Sequence, residues 1–348
     1  MSAPIYEFSQ LPQSAEDTAD QARLPEHGQT RSSGEDPRVG VIYNPRSHGN
    51  KGADFDCGLS PRVHIAQPGD QSHLPGALED FAARGIDLLV INGGDGTVRD
   101  VLTYGARIFG DDWPAIAVLP KGKTNALTVD LGVPGDWSMQ DAIDAYGRGG
   151  RVRRRPIAVN AVGEDAREPV LGFILGAGAF TAATESGQSA HRLGAFNSMA
   201  VGVTTTWTIF QWLFASRDNL WRRGSRMSIA LGPQAAPMEH SGIGDPEWRQ
   251  ILFASTLETM PARIRPFGSL RKGLKLVALD QITRRTAFML PAILFGRVTS
   301  GLRERGIHQL TTPQFTLNIE APFILDGEAF PPGEYCIDQG PELEFVTP

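Results

Sequence analysis

The sequence predicts two domains: an N-terminal doubly wound α/β domain and a C-terminal antiparallel β-sandwich-like domain with inserted helices. Two observations carry this prediction. From Arg38 to Leu131, short apolar runs alternate with segments of helical periodicity, which is typical of a parallel sheet covered by helices. After residues 147–150, Gly-Arg-Gly-Gly, the pattern changes to short strand-like runs separated by turns, which favours antiparallel sheets. The chain of 348 residues is long enough for both domains.

The first 36 residues differ in composition from the rest of the chain. They carry seven acidic and two basic side chains and show no apolar periodicity, so we expect a disordered acidic tail over residues 1–36. The whole chain has a net charge of −6, and most of it lies in this tail. This balance argues against a nucleic-acid partner.

The two domains have boundaries that the pattern of strands and helices predicts. We expect the α/β domain to span residues 37–148 and to be completed by residues 338–348, and the β-rich domain to span residues 149–337. In the first, helical spacing is expected from Val98 onwards. In the second, residues 152–162 look like one strand, and residues 283–305 look like one of two longer helices.

The sequence contains no segment that indicates export or a membrane span. No stretch approaches the ~20 apolar residues that a spanning helix needs. The N-terminus lacks a basic region followed by an apolar run. Two cysteines in a chain of this length, Cys57 and Cys336, are typical of a reduced protein. We therefore expect a cytoplasmic protein.

A glycine-rich loop, Gly-Gly-Asp-Gly-Thr at residues 93–97, follows the third predicted strand. Glycines without a Cβ let phosphate oxygens approach main-chain N–H groups, and a helix N-terminus attracts an anion. Thr97 caps the helix or donates its hydroxyl to a phosphate. Asp95 orients the loop, contacts a ribose hydroxyl or faces Mg²⁺. A tight turn of any doubly wound fold is the alternative, and the ordered string favours nucleotide phosphate.

Four stretches, in this order, resemble the diacylglycerol kinase catalytic-domain family, which includes ceramide and sphingosine kinases and bacterial lipid kinases. They are Asn44-Pro45-Arg46-Ser47, the glycine-rich loop, Pro120-Lys121-Gly122-Lys123-Thr124-Asn125 and Leu325-Asp326-Gly327-Glu328. The resemblance covers roughly residues 38–347. It implies an ATP-dependent lipid kinase that uses ATP and Mg²⁺. The acceptor it implies is the primary hydroxyl of diacylglycerol or of a ceramide- or sphingoid-type lipid.

The resemblance also assigns roles to individual residues. Asp326 is implied as the general base, with Glu328 and Asp95 assisting, and Asp95 also faces the Mg²⁺ bound to ATP. From spacing alone, an ordinary Asp-Gly turn explains Asp326 better. The residues implied to hold ATP are Asn44, Arg46, Gly93, Gly94, Asp95, Gly96, Thr97, Gly122, Lys123, Thr124 and Asn125.

Two lysines depart from the family pattern. Lys123 stands in the second loop, where it either contacts a β- or γ-phosphate or is solvated. Lys272 stands where bacterial relatives have an aspartate that helps to hold a structural Mg²⁺. An ammonium cannot ligate a cation. We therefore predict that this second metal site is absent or replaced by an ion pair of Lys272.

Two segments of the second domain combine aromatic side chains with arginines. They are residues 195–223, which contain three of the six tryptophans, and residues 283–305. This combination suits peripheral contact with the inner face of a membrane, where a lipid substrate resides. Helices of the core or of a cleft are the alternative. The sequence leaves a homodimer open.

Other functions compete with the lipid kinase. NAD kinase-like enzymes share the Gly-Gly-Asp-Gly-Thr loop, but the Asn-Glu pair expected for ribose recognition does not occur in this sequence. Phosphofructokinases share a Gly-Gly-Asp-Gly loop, and no other element favours a sugar phosphate. A catalytically silent lipid-binding relative is expected to lose the loop or the base, and both are present.

Overall fold

The computed structural model describes residues 37–50, 61–163, 168–179, 181, 224–281 and 283–348. The predicted tail and residues 195–223 lie outside the described residues. The chain forms two compact units. The first unit contains the described residues up to Pro156, together with Val170–Gly172 and Gly340–Pro348. The second unit contains the described residues of Ile157–Pro169 and Phe173–Gln339.

The first unit is built on a twisted sheet of mostly parallel strands. Its strands are β1 (Val39–Tyr43), β2 (Val63–Ala66), β3 (Leu88–Gly93), β4 (Ala115–Pro120), β5 (Arg151–Arg154) and β19 (Leu343–Val346), with β7 (Val170–Gly172) beside a helix. The sheet has the order β2-β1-β3-β4-β19-β5. Neighbours are parallel from β2 to β19, and β5 is antiparallel to β19.

Helices cover both faces of this sheet. They are α1 (Leu74–Arg84), α2 (Asp95–Phe109), α3 (Ala126–Asp130) and α4 (Met139–Arg148). Val39 and Val41 of β1 form a buried cluster with Ala142 of α4. Gly40 faces the other side, since a Cβ there would lie 2.8 Å from the Phe81 ring of α1. All five residues of β1 are buried, as expected for a strand covered on both faces.

The second unit contains two antiparallel sheets. Their strands are β6 (Ile157–Ala161), β8 (Ile174–Gly178), β9 (Ser225–Leu231), β10 (Ala236–Pro237), β11 (Trp248–Arg249), β12 (Ile251–Ser255), β13 (Lys275–Leu279), β14 (Ile307–Thr311), β15 (Phe315–Ile319), β16 (Phe323–Leu325), β17 (Glu328–Phe330) and β18 (Gly333–Gln339). One sheet has the order β10-β9-β15-β18-β6, with β11 beside β9, and the other has the order β14-β13-β12-β8-β16-β17. The Phe323 and Tyr335 rings, one from each sheet, pack edge to face at 4.8 Å.

The predicted fold class, α/β followed by antiparallel β, is confirmed, and three local predictions differ from the structure. Helix α2 begins at Asp95 rather than near Val98. Residues 152–162 form two strands, β5 and β6, because Pro156 supplies no N–H for a continuous ladder. The predicted long helix over residues 283–305 is only α5 (Arg284–Leu294), which ends before the left-handed Gly296. Among the described residues, no helix has the length and apolar character that crossing a membrane requires.

Candidate active site

The glycine-rich loop is the junction of β3 and α2. Gly93 ends β3, Gly94 is the extended N-cap residue with φ −93° and ψ −176°, and the next three residues form the first turn of α2. The N–H groups of a first turn have no acceptor within the helix, and they lie at the positive end of its dipole. The loop therefore forms a helix N-terminus suited to an anion.

The glycines of the loop meet different steric demands. A Cβ at Gly94 would lie 2.8 Å from the Gly122 Cα, and a Cβ at Gly122 would lie 2.7 Å from the Gly94 Cα. The two loops thus pack backbone against backbone, and neither position has room for a side chain. A Cβ at Gly96 would meet only the Arg99 guanidinium, at 4.0 Å. Packing explains Gly94 and Gly122, whereas the open space beside Gly96 is available to a ligand.

Asp95 joins the first turn of α2 to the start of α3. Its Oδ1 accepts a hydrogen bond from the Ala126 N–H at 2.8 Å. Burial raises the pKa of the Asp95 carboxyl, and hydrogen bonds from main-chain N–H groups of residues 125–127 oppose this rise. The carboxylate is therefore occupied by the cap of α3, which favours the positioning role among those that the sequence suggests for Asp95.

Asn44 connects the end of β1 to the same turn of α2. Its Nδ2 donates a hydrogen bond to the Thr97 Oγ1 at 2.9 Å, and its Oδ1 accepts from the Arg46 N–H at 3.0 Å. Because the Thr97 oxygen is the acceptor, its own hydroxyl hydrogen remains available to a ligand. The Arg46 guanidinium is exposed and donates to the Gly69 carbonyl, so it is not directed at the loop by any described contact.

The second loop, residues 122–125, is held by an asparagine in the left-handed region. Asn125 has φ 52° and ψ 46°, a conformation that asparagine tolerates better than most residues. Its Oδ1 accepts from the Gly122 N–H at 2.7 Å, and its Nδ2 donates to the Gly122 carbonyl at 3.1 Å. Lys123 and Thr124 are exposed at the top of this closed turn. The structure thus places Lys123 where its ammonium is free to move toward solvent or ligand.

Asp326 occupies a two-residue hairpin turn between β16 and β17. Leu325 pairs with Glu328, and the turn residues Asp326 and Gly327 have φ of 47° and 85°. Positive φ at both positions is typical of a type I′ turn, for which Asp-Gly is a favoured dipeptide. The turn that spacing alone suggests is therefore present.

The Asp326 carboxylate has a second function besides the turn. Its Oδ2 accepts a hydrogen bond from the Phe173 N–H and its Oδ1 from the Ile174 N–H, both at 2.9 Å. A hairpin turn needs no such contacts, since Asn-Gly or Gly-Gly would form it equally well. The two main-chain donors therefore fix the orientation of the carboxylate. Glu328, at the start of β17, is partly exposed.

The segment around Lys272 contains a buried cation three residues further on. Lys272 is exposed, whereas Lys275 is only 1% exposed and its Nζ donates to the Gly273 carbonyl at 3.1 Å. Within the described ranges, no group of three or more His, Cys, Asp or Glu side chains is placed to hold a metal ion. The absence of the second metal site of the family stays a prediction from the sequence.

Sequence reasoning missed two buried asparagines that support the loops. The Asn50 Nδ2 donates to the Asn44 carbonyl and to the Asn92 Oδ1, both at 2.8 Å. Both Asn50 and Asn92 are at least 95% buried. A polar residue at the end of the apolar run 88–91 was the available signal for Asn92. Asn50 had no such signal, because its partners are set by the fold.

Two curated relatives match part of this chain. "Probable lipid kinase YegS" of Shigella flexneri is 29% identical over 72 residues, which is 21% of this chain and 24% of that protein. The protein of the same name from Escherichia coli O1:K1 / APEC matches to the same extent. The match thus spans about a quarter of the length of these relatives.

Solved structures share the fold over most of the chain. A diacylglycerol kinase from Bacillus anthracis str. Sterne superposes with a TM-score of 0.56 at 13% identity, covering 90% of this chain and 97% of that chain. Another solved chain from the same organism superposes with a TM-score of 0.60 at 16% identity over the same shares. At these identities the likeness shows the fold alone.

The family model of the diacylglycerol kinase catalytic domain matches residues 38–159. This range contains the first three of the four stretches that resemble the family, including both glycine-containing loops. Residues 38–159 are therefore similar to the diacylglycerol kinase catalytic domain, the family that the sequence resembles.

Proposed function

We propose that the chain is an ATP-dependent lipid kinase that transfers the γ-phosphate of ATP to the primary hydroxyl of a membrane lipid. The observation that supports this most is the contact between Gly94 and Gly122, which brings two loops together at the N-terminus of α2. Open space beside Gly96 leaves room for phosphate at that helix end. The family of residues 38–159 supports the same reaction.

The first unit supplies the groups that hold the phosphates of ATP. Main-chain N–H groups of the first turn of α2 face the anion, and the Thr97 hydroxyl, with Asn44 as its donor, gives its hydrogen to a phosphate oxygen. The exposed Lys123 ammonium approaches a β- or γ-phosphate. These contacts position the γ-phosphate and neutralise its charge, which is the main requirement of phosphoryl transfer.

Magnesium fits this site as the partner of ATP rather than as a resident ion. The Asp95 carboxylate is occupied by main-chain N–H groups at the start of α3, so it offers little to a metal. Mg²⁺ accepts phosphate oxygens and water as ligands, and it would supply charge neutralisation at the phosphates. We propose that Asp95 acts by holding the two loops together.

The second unit supplies the proposed base. The Asp326 carboxylate is oriented by two main-chain donors. It takes the proton of the acceptor hydroxyl as that oxygen bonds to the γ-phosphorus and ADP leaves. Glu328, its neighbour in the hairpin, assists by a hydrogen bond.

A peripheral membrane contact is proposed for the segment of residues 283–305. Phe288 is 67% exposed and Phe295 is 54% exposed, on and just after α5. Arg284 and Arg285 begin the same helix. Exposed aromatic rings beside arginines suit the interface of a bilayer, and we propose the inner face of the cytoplasmic membrane.

The identity of the acceptor is tested with labelled ATP and a panel of candidate acceptors in neutral detergent micelles. The panel contains diacylglycerol, ceramide, a sphingoid base and monoacylglycerol, with NAD as the acceptor of the competing kinase class. We expect one of the lipids to become labelled and NAD to remain unlabelled. Labelling of NAD would establish the NAD kinase-like alternative, and ATP binding without labelling of any acceptor would establish a silent relative.

A further inference from the structure

A pocket of about 300 Å³ lies in the second unit, and we call it the arginine pocket. It is lined by residues 257–260, 263–267 and 270–271. Three of these are arginines, Arg263, Arg265 and Arg271, whereas Glu258 is the acidic residue among the lining residues that the structure describes. An excess of positive charge in a concave site favours an anionic ligand.

The arginines of the pocket are available to a ligand to different degrees. Arg263 and Arg265 are exposed, and neither guanidinium has a hydrogen bond or ion pair with any residue in the described ranges. Arg271 is held at the rim, because its Nη1 donates to the Gly268 and Leu270 carbonyls. Its remaining N–H groups are still free to donate, since a guanidinium has five.

The inner wall of the pocket is an aromatic ring with a buried lysine beside it. Phe267 lines the pocket and stacks on Phe253, with ring centroids 5.4 Å apart. The Lys275 Nζ lies 5.6 Å from the centroid of the Phe267 ring, and this lysine is 1% exposed. The lysine therefore supports the Phe267 ring from behind the pocket.

The backbone that carries Arg263 adopts an unfavourable conformation. Ala262 and Arg263 both have φ of 55°, in the left-handed region that residues with a Cβ seldom occupy. The turn is closed by hydrogen bonds from the Arg263 N–H to the Met260 carbonyl and from the Ile264 N–H to the Pro261 carbonyl. Strain of this kind occurs at ligand-binding segments, and here it fixes the direction in which Arg263 leaves the chain.

The pocket adjoins the exposed aromatic residues of α5. The Arg265 N–H donates to the Leu294 carbonyl, and a Cβ at Gly296 would lie 3.2 Å from the Arg265 Cδ. Phe295, more than half exposed, stands between Leu294 and Gly296 in the chain. If the Phe295 side chain enters a bilayer, the arginines of the pocket therefore lie at the depth of the headgroups.

The pocket also lies at the same end of its sheet as Asp326. Ser255, at the end of β12, pairs with Ile174 at the start of β8, and Ile174 donates to the Asp326 carboxylate. Leu257, the first lining residue, follows Ser255 by two positions. Both features belong to the second unit, so a bilayer bound at the pocket is near the proposed base.

We propose that the arginine pocket binds the phosphate group of an anionic phospholipid in the bilayer that contains the acceptor lipid. A guanidinium forms paired hydrogen bonds with phosphate oxygens, which an ammonium cannot do. The adjoining Phe295, more than half exposed, anchors the same surface, which argues for a phosphate at a bilayer rather than one free in water. The inference rests on the proposed function only for the identity of that bilayer.

The proposal is tested by sedimentation of the full chain with vesicles of two compositions. One is phosphatidylcholine, and in the other about a third of the lipid is phosphatidylglycerol, which supplies the anionic phosphate. We expect clear preference for the anionic vesicles. The double variant Arg263→Gln, Arg265→Gln should lose about thirtyfold in affinity for them, and little for phosphatidylcholine.

A matched control separates the pocket from general electrostatic attraction. Arg107→Gln with Arg148→Gln removes the same charge from exposed helix positions of the first unit. This control should retain the vesicle affinity of the wild type. An equal loss in both double variants would overturn the proposal, because the attraction would then depend on net charge alone.

A second arm distinguishes a bilayer phosphate from a soluble one. Inorganic phosphate and glycerol phosphate are titrated by calorimetry into the wild type and into the Arg263→Gln, Arg265→Gln variant. We expect binding far weaker than that of vesicles. Tight binding of soluble phosphate that the variant loses, without preference for anionic vesicles, would refute the assignment to a bilayer lipid.

The kinase assay in neutral detergent micelles keeps the two proposals apart. There the double variant of the pocket should phosphorylate the acceptor as the wild type does, since no anionic lipid is present. If the wild type phosphorylates no lipid, the proposed function is wrong. The vesicle experiment still shows whether the arginine pocket binds an anionic phospholipid. Equal thermal unfolding of wild type and variant shows that both proteins are folded.

Discussion

The dipeptide Asp-Gly occurs among the candidate site residues of each unit, with different structures. Asp95-Gly96 lies in the first turn of a helix, whereas Asp326-Gly327 forms a hairpin turn with positive φ at both residues. In each case the carboxylate accepts main-chain N–H groups of another segment. Asp95 caps α3, 31 residues later, and Asp326 holds the start of β8, 152 residues earlier.

This difference explains why the structure around Asp95 is visible in the sequence and the structure around Asp326 is not. The first turn of α2 follows directly from a strand, two glycines and a helix, so consecutive residues specify it. The setting of Asp326 depends on β8 pairing with β16, which no local pattern reports. Substitutions in the two units should therefore have separable effects on chemistry, folding and ATP binding.

The largest effect is expected for Asp326→Asn. Removing the proposed base should lower the rate of lipid phosphorylation by about 10²–10⁴-fold. ATP binding, measured by calorimetry, should stay near that of the wild type. The amide would place one N–H donor against another, so we also expect a loss of stability of about 1–3 kcal/mol.

Asp245→Asn is the control for Asp326→Asn. The Asp245 Oδ1 accepts from the Glu247 N–H in an exposed turn of the same unit, so the change is isosteric and distant from the proposed chemistry. Its turnover should equal that of the wild type. Near-normal turnover by Asp326→Asn would exclude Asp326 as the base.

Asp280→Asn is expected to have the next largest effect, on stability alone. The carboxylate is fully buried and accepts from Arg249, His308 and Ser241. Removing its charge should cost about 3–5 kcal/mol, because it leaves the Arg249 guanidinium buried without a partner charge. Urea unfolding measures the loss, and the activity of the folded fraction should persist. A stability equal to that of the wild type would contradict this role.

The same carboxylate predicts a dependence of stability on pH. Burial opposes ionisation, but hydrogen bonds from His308 and Ser241 and the charge of Arg249 outweigh it and lower the pKa of Asp280. A lowered pKa in the folded state contributes stability above the unfolded pKa of about 3.9, and this contribution is lost as the pH falls below that value. Urea unfolding near pH 6 and near pH 3.5 should show the loss in the wild type and a smaller one in Asp280→Asn.

Gly94→Ala tests the contact between the two loops. The added Cβ meets the Gly122 backbone, which cannot yield as a side chain does, so we expect about 1–3 kcal/mol of destabilisation. ATP binding should fall together with stability, because the loops must separate. Unchanged thermal unfolding and ATP affinity would show that the loops tolerate a side chain at this position.

Gly96→Ala should separate binding from folding with the smallest effect. Its Cβ has room in the protein, so stability should stay the same or rise by up to ~1 kcal/mol, as alanine favours a helix. ATP affinity should fall about tenfold, because the methyl group occupies space needed by a phosphate accepting main-chain N–H groups. Calorimetry and thermal unfolding measure both quantities.

Gly76→Ala is the matched control for Gly96→Ala. Gly76 lies in the first turn of α1 and is exposed, and a Cβ added there would have no neighbouring atom within 4 Å. This variant should gain similar stability and bind ATP as the wild type does. If Gly96→Ala binds ATP equally well, the phosphate does not lie beside Gly96.

Local periodicity predicts most of the first unit, and in the two units together it misplaces three boundaries for identifiable reasons. The predicted start of α2 lies three residues late, since Asp95, Gly96 and Thr97 show no apolar spacing although they are helical. Residues 152–162 have the composition of one strand, and the break at Pro156 assigns its halves to different sheets. The segment 283–305 keeps apolar spacing past Phe295, but the left-handed Gly296 ends the helix.

The sequence by itself determined the glycine-rich loop between β3 and α2, because a strand, two glycines and a helix start are consecutive and each depends on local backbone conformation. It also determined the two-part fold, through the alternation of strand and helix patterns. Only the tertiary structure decided that Gly94 is required by Gly122 while Gly96 is not, and that Phe173 and Ile174 orient Asp326. Only the tertiary structure showed that one pocket is lined by Arg263, Arg265 and Arg271. These contacts join residues that are far apart in the chain, and they exist only because strand pairing and packing bring those residues together.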